Sequence, residues 1–221
     1  MSISSQLAQS EIVSFCEHCS QGLDGLTSHK ARIDFVKAEL PGLLKNKDLC
    51  VSLLTSVIEG KGYPDIHRPT MFDNEVLLYL HPLGHFSLRM YLWGPGEYTY
   101  PHDHNSWGVI GTVSEGYEVV NYRREDDETI EGYAKLVEIE TLRLQPGETA
   151  FTLPLSKGIH KTGNATGESI ITFHLYGKSM PRGYLNCFDI ARNGVRRVFP
   201  PRRRKELLAR QALSCLLNNE P

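Results

Sequence analysis

Residues 93–116 read WGPGEYTYPHDHNSWGVIGTVSEG, and the pair His102 and His104 inside them decides how the rest of the chain is read. In an extended strand, residues i and i+2 project from one face, so the two imidazoles point at one spot. Two imidazoles aimed at one spot are half of a metal site. The flanking glycines and prolines mark turns, which places the pair on short strands between bends.

The strand reading extends in both directions. EVLLYLH (75–81), FSLRMYLW (86–93), the stretch 107–122, AKLVEIETLRL (134–144), TAFTL (149–153) and SIITFHLYG (169–177) are rich in β-branched and aromatic residues. GPGE, QPGE and TGNATGE separate several of them. Many short strands with no helix between them indicate an antiparallel sandwich or barrel.

Residues 5–59 read as helices instead. Ile12, Phe15, Cys16 and Cys19 fall at i, i+3, i+4 and i+7, an apolar helical face, which favours buried cysteines over a metal or redox reading of CEHC. Thr27 or Ser28 can cap a second helix carrying Ile33, Val36 and Leu40, which PGLL at 41–44 should interrupt or end. A third carries Cys50, Leu53, Leu54, Val57 and Ile58, and stops at Gly60, Gly62 and Pro64. The carboxyl end turns basic and then helical, with Leu208, Ala212, Cys215 and Leu216 on one side, so a terminal helix packing back on the domain is expected. The expected organisation is one structural domain: a helical segment over 1–65, a β barrel over 66–199 and a C-terminal helix over 200–221.

A chain of 221 residues can bury a substantial core without disulfides. A net charge of −2 gives no overall reason to expect nucleic acid or an anionic membrane, and RRVFPPRRR reads as a solvated junction. A small-molecule partner is expected. The start of the chain has neither a basic n-region nor an apolar h-region, and no stretch approaches a membrane span, so a cytoplasmic location is the default expectation. Five scattered cysteines are then expected to be reduced.

Gly96, His102, His104 and Gly116 resemble the first conserved motif of the cupins, metal-binding double-stranded β-helices. The glutamate of that motif would fall on Gly108 or Val109. In LPLSKGIHKTGN (153–164), His160 takes the place of the second-motif histidine, with Asn164 four residues on. Three histidines without a carboxylate resemble the thiol dioxygenase branch, typified by cysteine dioxygenase and mercaptopropionate dioxygenase. Thr172, His174 and Tyr176 in ITFHLYG match the Ser-x-His-x-Tyr relay of that branch, with threonine for serine. The resemblance covers roughly residues 75–190.

What the resemblance implies is a cupin barrel with N-terminal helices, Fe(II) on His102, His104 and His160, and oxidation of a small thiol by O2 to a sulfinate. Zinc binds such sites too, and spacing does not choose between the metals. Tyr176 would present its hydroxyl to the open face, held by His174 and Thr172. Two features of the family have no match. Val109 stands where animal-type enzymes carry a cysteine crosslinked to the tyrosine, and Val76 or Leu77 stands where an arginine or glutamine binds the substrate carboxylate. Arg89 and Arg182 are the candidate replacements, with Tyr91, on the face of Arg89, and Trp107 as further candidate substrate contacts. A cupin metal enzyme acting on a non-thiol substrate, and a non-catalytic metal-binding or ligand-sensing cupin, remain open beside the thiol reading. Oligomeric state is not legible.

Overall fold

The period-two alternation of the strands sorts their side chains onto two faces, and the fold is built by covering both. The structure is a computed structural model and describes residues 3–60 and 72–218. The expected break at Gly62 and Pro64 and the 65/66 boundary lie outside the described residues.

Three helices open the chain: α1 (Ile3–Leu23), α2 (His29–Leu44) and α3 (Lys47–Ile58). Ser28 caps α2 by accepting from the Ala31 amide at 3.1 Å, and Asn46 caps α3 by accepting from Leu49 at 3.0 Å. Each satisfies one of the amides that a helix start leaves without a partner. Proline 41 does not end α2 as the sequence predicts. The helix continues to Leu44, because Leu40, Leu43 and Leu44 all bury in the core and hold the last turn in place. Gly111 makes room for them: a Cβ there would stand 2.5 Å from Leu44 Cδ1.

Ten strands follow: β1 (Glu75–Leu80), β2 (Phe86–Trp93), β3 (Gly108–Thr112), β4 (Tyr117–Arg124), β5 (Leu136–Leu144), β6 (Thr149–Thr152), β7 (Ile159–Asn164), β8 (Ile170–Gly177), β9 (Leu185–Asp189) and β10 (Gly194–Val198). They form a five-stranded sheet in the order β1-β2-β8-β3-β6, a three-stranded sheet β5-β4-β7 and a two-stranded ribbon β10-β9. The pairings are antiparallel throughout. The mainly β class with helices at both ends is as expected. Strands β7, β9 and β10 are additions to the sequence reading, which took RRVFPPRRR (196–204) as a solvated junction.

One face of the five-stranded sheet packs on the helices. Phe86, Leu88 and Met90 of β2, Val109 of β3 and Phe173 and Leu175 of β8 share a core with Ile12, Cys16, Cys19, Val36 and Leu53. Cys16 and Cys19 are fully buried, and burial pushes the Cys19 thiol up to about 12, so both are inert packing groups. The opposite face meets the three-stranded sheet: Tyr91, Trp93, Ile110 and Ile170 pack against Tyr117, Val119 and Leu144. The polar residues of β2 and β8 that share this inner face form the candidate site.

The last helix, α4 (Pro201–Asn218), departs from expectation. Its described side chains are almost all exposed, Leu208 and Leu213 at 51% and 57%, so it is not seen to pack back on the sheets. Arg202 and Arg203 instead pair with Glu206 one turn on, and such local pairs support a helix without docking it.

Candidate metal centre

His102 and His104 lie between β2 and β3 rather than inside a regular strand. The segment is nevertheless extended, because it is tied on both sides: His102 and His160 exchange backbone hydrogen bonds at 2.9 and 3.1 Å, and the Asp103 amide donates to Asn186 O at 3.1 Å. Alternation then turns both histidines inward and Asp103 outward. The outward carboxylate is anchored by Arg182, whose Nη1 and Nη2 lie 2.7 and 2.5 Å from it, and by the Asn186 amide and side chain at 2.8 and 2.9 Å. The two imidazoles are therefore aimed by an ion pair on the far side of their own backbone.

Each ring is also oriented by an acceptor. His102 Nδ1 is 2.9 Å from Tyr100 O, and His104 Nδ1 is 2.9 Å from Gly158 O, with Thr152 Oγ1 at 3.1 Å. A carbonyl only accepts, so Nδ1 carries the proton in both rings and the Nε2 lone pairs are left for the centre. His104 Nε2 and His160 Nδ1 are buried without a hydrogen-bond partner. Ring centroids stand 4.5–5.0 Å apart, and the candidate ligand atoms of the three residues lie within 4.8 Å of one another. Buried orphan nitrogens converging in this way are what a bound metal ion would satisfy. Among the described residues this is the sole cluster of its kind.

Burial lowers the pKa of all three histidines, helped for His104 and His160 by the neighbouring imidazoles, and burial with Arg89 lowers that of His174 to about 3. The neutral form is the one that ligates. Sign follows directly. An unfolded histidine takes up a proton below about pH 6.5, whereas these four resist it in the fold, so metal-free protein is fully stable above that pH and loses stability below it. The expected slope is on the order of 1 kcal/mol per pH unit for each histidine, down to about pH 3 for His174. Urea titrations of apo protein between pH 7.5 and 5 would measure it, and a flat profile would contradict the burial argument.

Beside the triad, β8 presents Thr172, His174 and Tyr176 on the inner face. Thr172 Oγ1 is 2.8 Å from His174 Nε2, and His174 Nδ1 is 3.0 Å from the Tyr176 hydroxyl. Tyr176 stacks beside His104 with centroids 5.9 Å apart, and burial raises its pKa, so it is a phenol. Its ring lies over Gly108, where a Cβ would stand 2.5 Å from Tyr176 Cδ1. Val109, at the position compared with the crosslinking cysteine, faces the helices instead.

The four candidate substrate contacts divide. Arg89 is on the inner face, forms an ion pair with Glu75 and stands over the Tyr176 ring at 5.8 Å. Tyr91 is also inner, 4.4 Å from the His174 ring. Arg182 is committed to Asp103 and to Asn105 Oδ1 on the outer side of the histidine segment. Trp107 belongs to the core under the helices, where Gly177 lets its indole approach, and does not share the inner face. Asp103, turned away from the centre by alternation with His102 and His104, draws Arg182 outward, and Trp107 shares the face of Val109 in the adjoining β3.

Several site residues escape the sequence reading. Glu75, in register with Tyr91, carries a carboxylate into an otherwise apolar strand, and that isolated charge is a usable signal. Trp93 is legible as the next inner position after Arg89 and Tyr91. Thr152 and Gly158, which hold His104, have no sequence signal because the contact joins segments far apart in the chain.

No family model matches the chain. Solved structures similar to it include a cupin-2 domain protein from Rhodospirillum rubrum, at 12% identity and TM-score 0.36, covering 49% of this chain and 61% of that one. A cupin-2 conserved barrel domain protein from Salinispora arenicola is 14% identical with TM-score 0.35, covering 53% and 87%. A salicylate 1,2-dioxygenase from Pseudaminobacter salicylatoxidans is 16% identical with TM-score 0.32, covering 42% and 22%. These are weak likenesses, and the site rests on the sheet order and histidine geometry above. No helix among the described residues is long and apolar enough to cross a membrane.

Proposed function

We propose that this chain is a non-haem Fe(II) thiol dioxygenase of the cupin type, which oxidises a small thiol with O2 to a sulfinate. The observation that carries the reading is three buried, neutral histidines with no carboxylate among them, facing a tyrosine held by a Thr172–His174 relay. Iron held by His102, His104 and His160 would supply the O2 chemistry that no side chain here possesses.

The residues contribute the rest. Three imidazoles bring no negative charge, so the charge of a divalent ion stays uncompensated and an anionic sulfur donor suits the site better than a neutral one. Arg89 stands over the Tyr176 ring with its charge matched by Glu75, so the uncompensated charge is that of the ion itself. Tyr176, a phenol, would hydrogen-bond to the anionic ligand and hold it in place. The overall change, thiolate plus O2 to sulfinate, balances without an external reductant, and a small thiol and O2 are the partners this requires; nucleic acid and membrane have no part in it.

Iron-reconstituted protein should consume O2 with at least one member of a small-thiol panel and release a sulfinate. Tyr176→Phe should lower that rate by about 100-fold or uncouple it. Iron-loaded protein that takes up no O2 with any thiol would remove the proposal. A second reading, a cupin metal enzyme acting on a non-thiol substrate, is favoured by one observation: Arg89 and Arg182 are each already matched by a carboxylate. Product analysis separates the two, since only thiol oxidation yields a sulfinate.

A further inference from the structure

A second cavity, of about 550 Å3, lies on the helix side of the five-stranded sheet, and none of the three histidines of the metal centre lines it. Its walls come from the turn between α1 and α2, the hairpin between β1 and β2, and the residues flanking β3 and β8. Two cations line it. Arg32 donates its Nε to Leu26 O at 2.8 Å, which orients the guanidinium and leaves both Nη groups without a partner among the described residues. Lys178 has no carboxylate partner among them either, and Asp24 is the one carboxylate in the lining. His29, at the start of the 16-residue α2, adds the positive end of that helix.

The floor carries an unused donor. Trp107 is 4% exposed and lines the cavity, yet its indole N–H makes no hydrogen bond among the described residues. An indole N–H cannot accept, so its partner must be an acceptor that comes from the cavity. The wall opposite is built rather than loose. His81 Nδ1 accepts from the Leu83 amide at 3.2 Å, which leaves its proton on Nε2, 3.1 Å from Ser20 Oγ, and ties the hairpin to α1. His85 stacks on that ring at 4.7 Å, and Leu83 at the hairpin tip is 73% exposed beside the opening.

We propose that this cavity is a second small-molecule site, which takes an oxyanion, a carboxylate or a phosphate, carried on a compact apolar body. The planar Arg32 fork suits the paired oxygens of either group, Lys178 adds a point charge, and Trp107 adds a neutral donor. Leu83 covers the body. An apolar ligand would strip water from both cations and from the indole without replacing it, and a cation would be repelled. The volume is that of a site for a small organic molecule. It stands back to back with the metal centre: Trp107 O accepts from the Gly177 amide at 2.9 Å, and the next residue, Gly108, lies under the Tyr176 ring. The inference does not rest on the thiol dioxygenase reading.

The test uses the two tryptophans of the chain as reporters. Benzoate and phenyl phosphate are titrated in separate arms into full-length, zinc-loaded protein at fixed ionic strength, and the indole N–H peaks are followed in 1H–15N spectra. At least one arm should move the Trp107 peak saturably while the Trp93 peak, whose N–H is already bonded to Thr172, stays in place. The arm that acts, or acts at lower concentration, identifies the anion as carboxylate or phosphate. Trp107→Phe assigns the two peaks, and Thr172→Val does so if that variant does not fold. Arg32→Gln and Lys178→Gln should each weaken binding about tenfold, with zinc content at the native level. Movement of the Trp93 peak alone would put the anion at the three histidines and overturn the inference. So would a Trp107 shift that chloride reproduces, an affinity unmoved by both variants, or no saturable shift in either arm.

Discussion

His104→Ala is expected to leave the purified chain without metal, with affinity reduced by more than about 100-fold, as measured by elemental analysis after dialysis against a weak chelator. The reason is the convergence described above. Two of three imidazoles cannot complete a cluster that contains no carboxylate, and Asp103, between two of the ligands, points to the opposite side and is bound by Arg182 and Asn186. Thr152→Val is the graded control. It removes the hydroxyl that sits 3.1 Å from His104 Nδ1 and 2.9 Å from Gly158 O, while every ligand stays, so the loss should be about 10- to 100-fold. Circular dichroism would separate metal loss from unfolding. Stoichiometric metal in the alanine variant would show that His102, His104 and His160 are not the ligand set.

Arg182→Gln is expected to be the most destabilising of the single polar substitutions, at about 3–5 kcal/mol in urea unfolding of the metal-free protein. The Asp103 side chain is 2% exposed and that of Arg182 15%, so removing the guanidinium strands a buried carboxylate whose remaining partners are the Asn186 amide and side chain. Water cannot repair the site, as it would for a surface pair, where the same change costs about 1 kcal/mol or less. Because Asp103 sits between His102 and His104, the variant should also bind metal more weakly in proportion to the loosened segment. A cost below about 1 kcal/mol would mean that the backbone ties to β7 and β9 suffice and the ion pair is incidental.

Much of this is legible in one dimension because its information is local. Period two in FSLRMYLW and SIITFHLYG assigns Phe86, Leu88 and Met90 to one face and Arg89, Tyr91, Thr172, His174 and Tyr176 to the other, which is how the structure has them. The helical spacing of Ile12, Cys16 and Cys19 predicts burial for the same kind of reason. Where local rules compete with packing, packing wins. Proline 41 should end a helix, yet the leucines beyond it bury against a sheet that offers Gly111 opposite them. The last helix has an apolar stripe, yet its described residues stay in solvent.

By itself the sequence determines the class of the fold, the face on which each strand residue lies and the identity of three histidines that can share a metal, since each depends on residue type and spacing along one segment. Only the tertiary structure decides which arginine lies on the inner face and which holds the ligand segment, that Trp107 belongs to the helix-side core, and that the Trp93 indole donates to Thr172. Those outcomes turn on pairings between segments: Arg182 with Asp103, Arg89 with Glu75, Trp93 with Thr172. A charged or polar group takes its role from the partner that burial forces on it, and that partner is chosen by strand register rather than by neighbours in the chain.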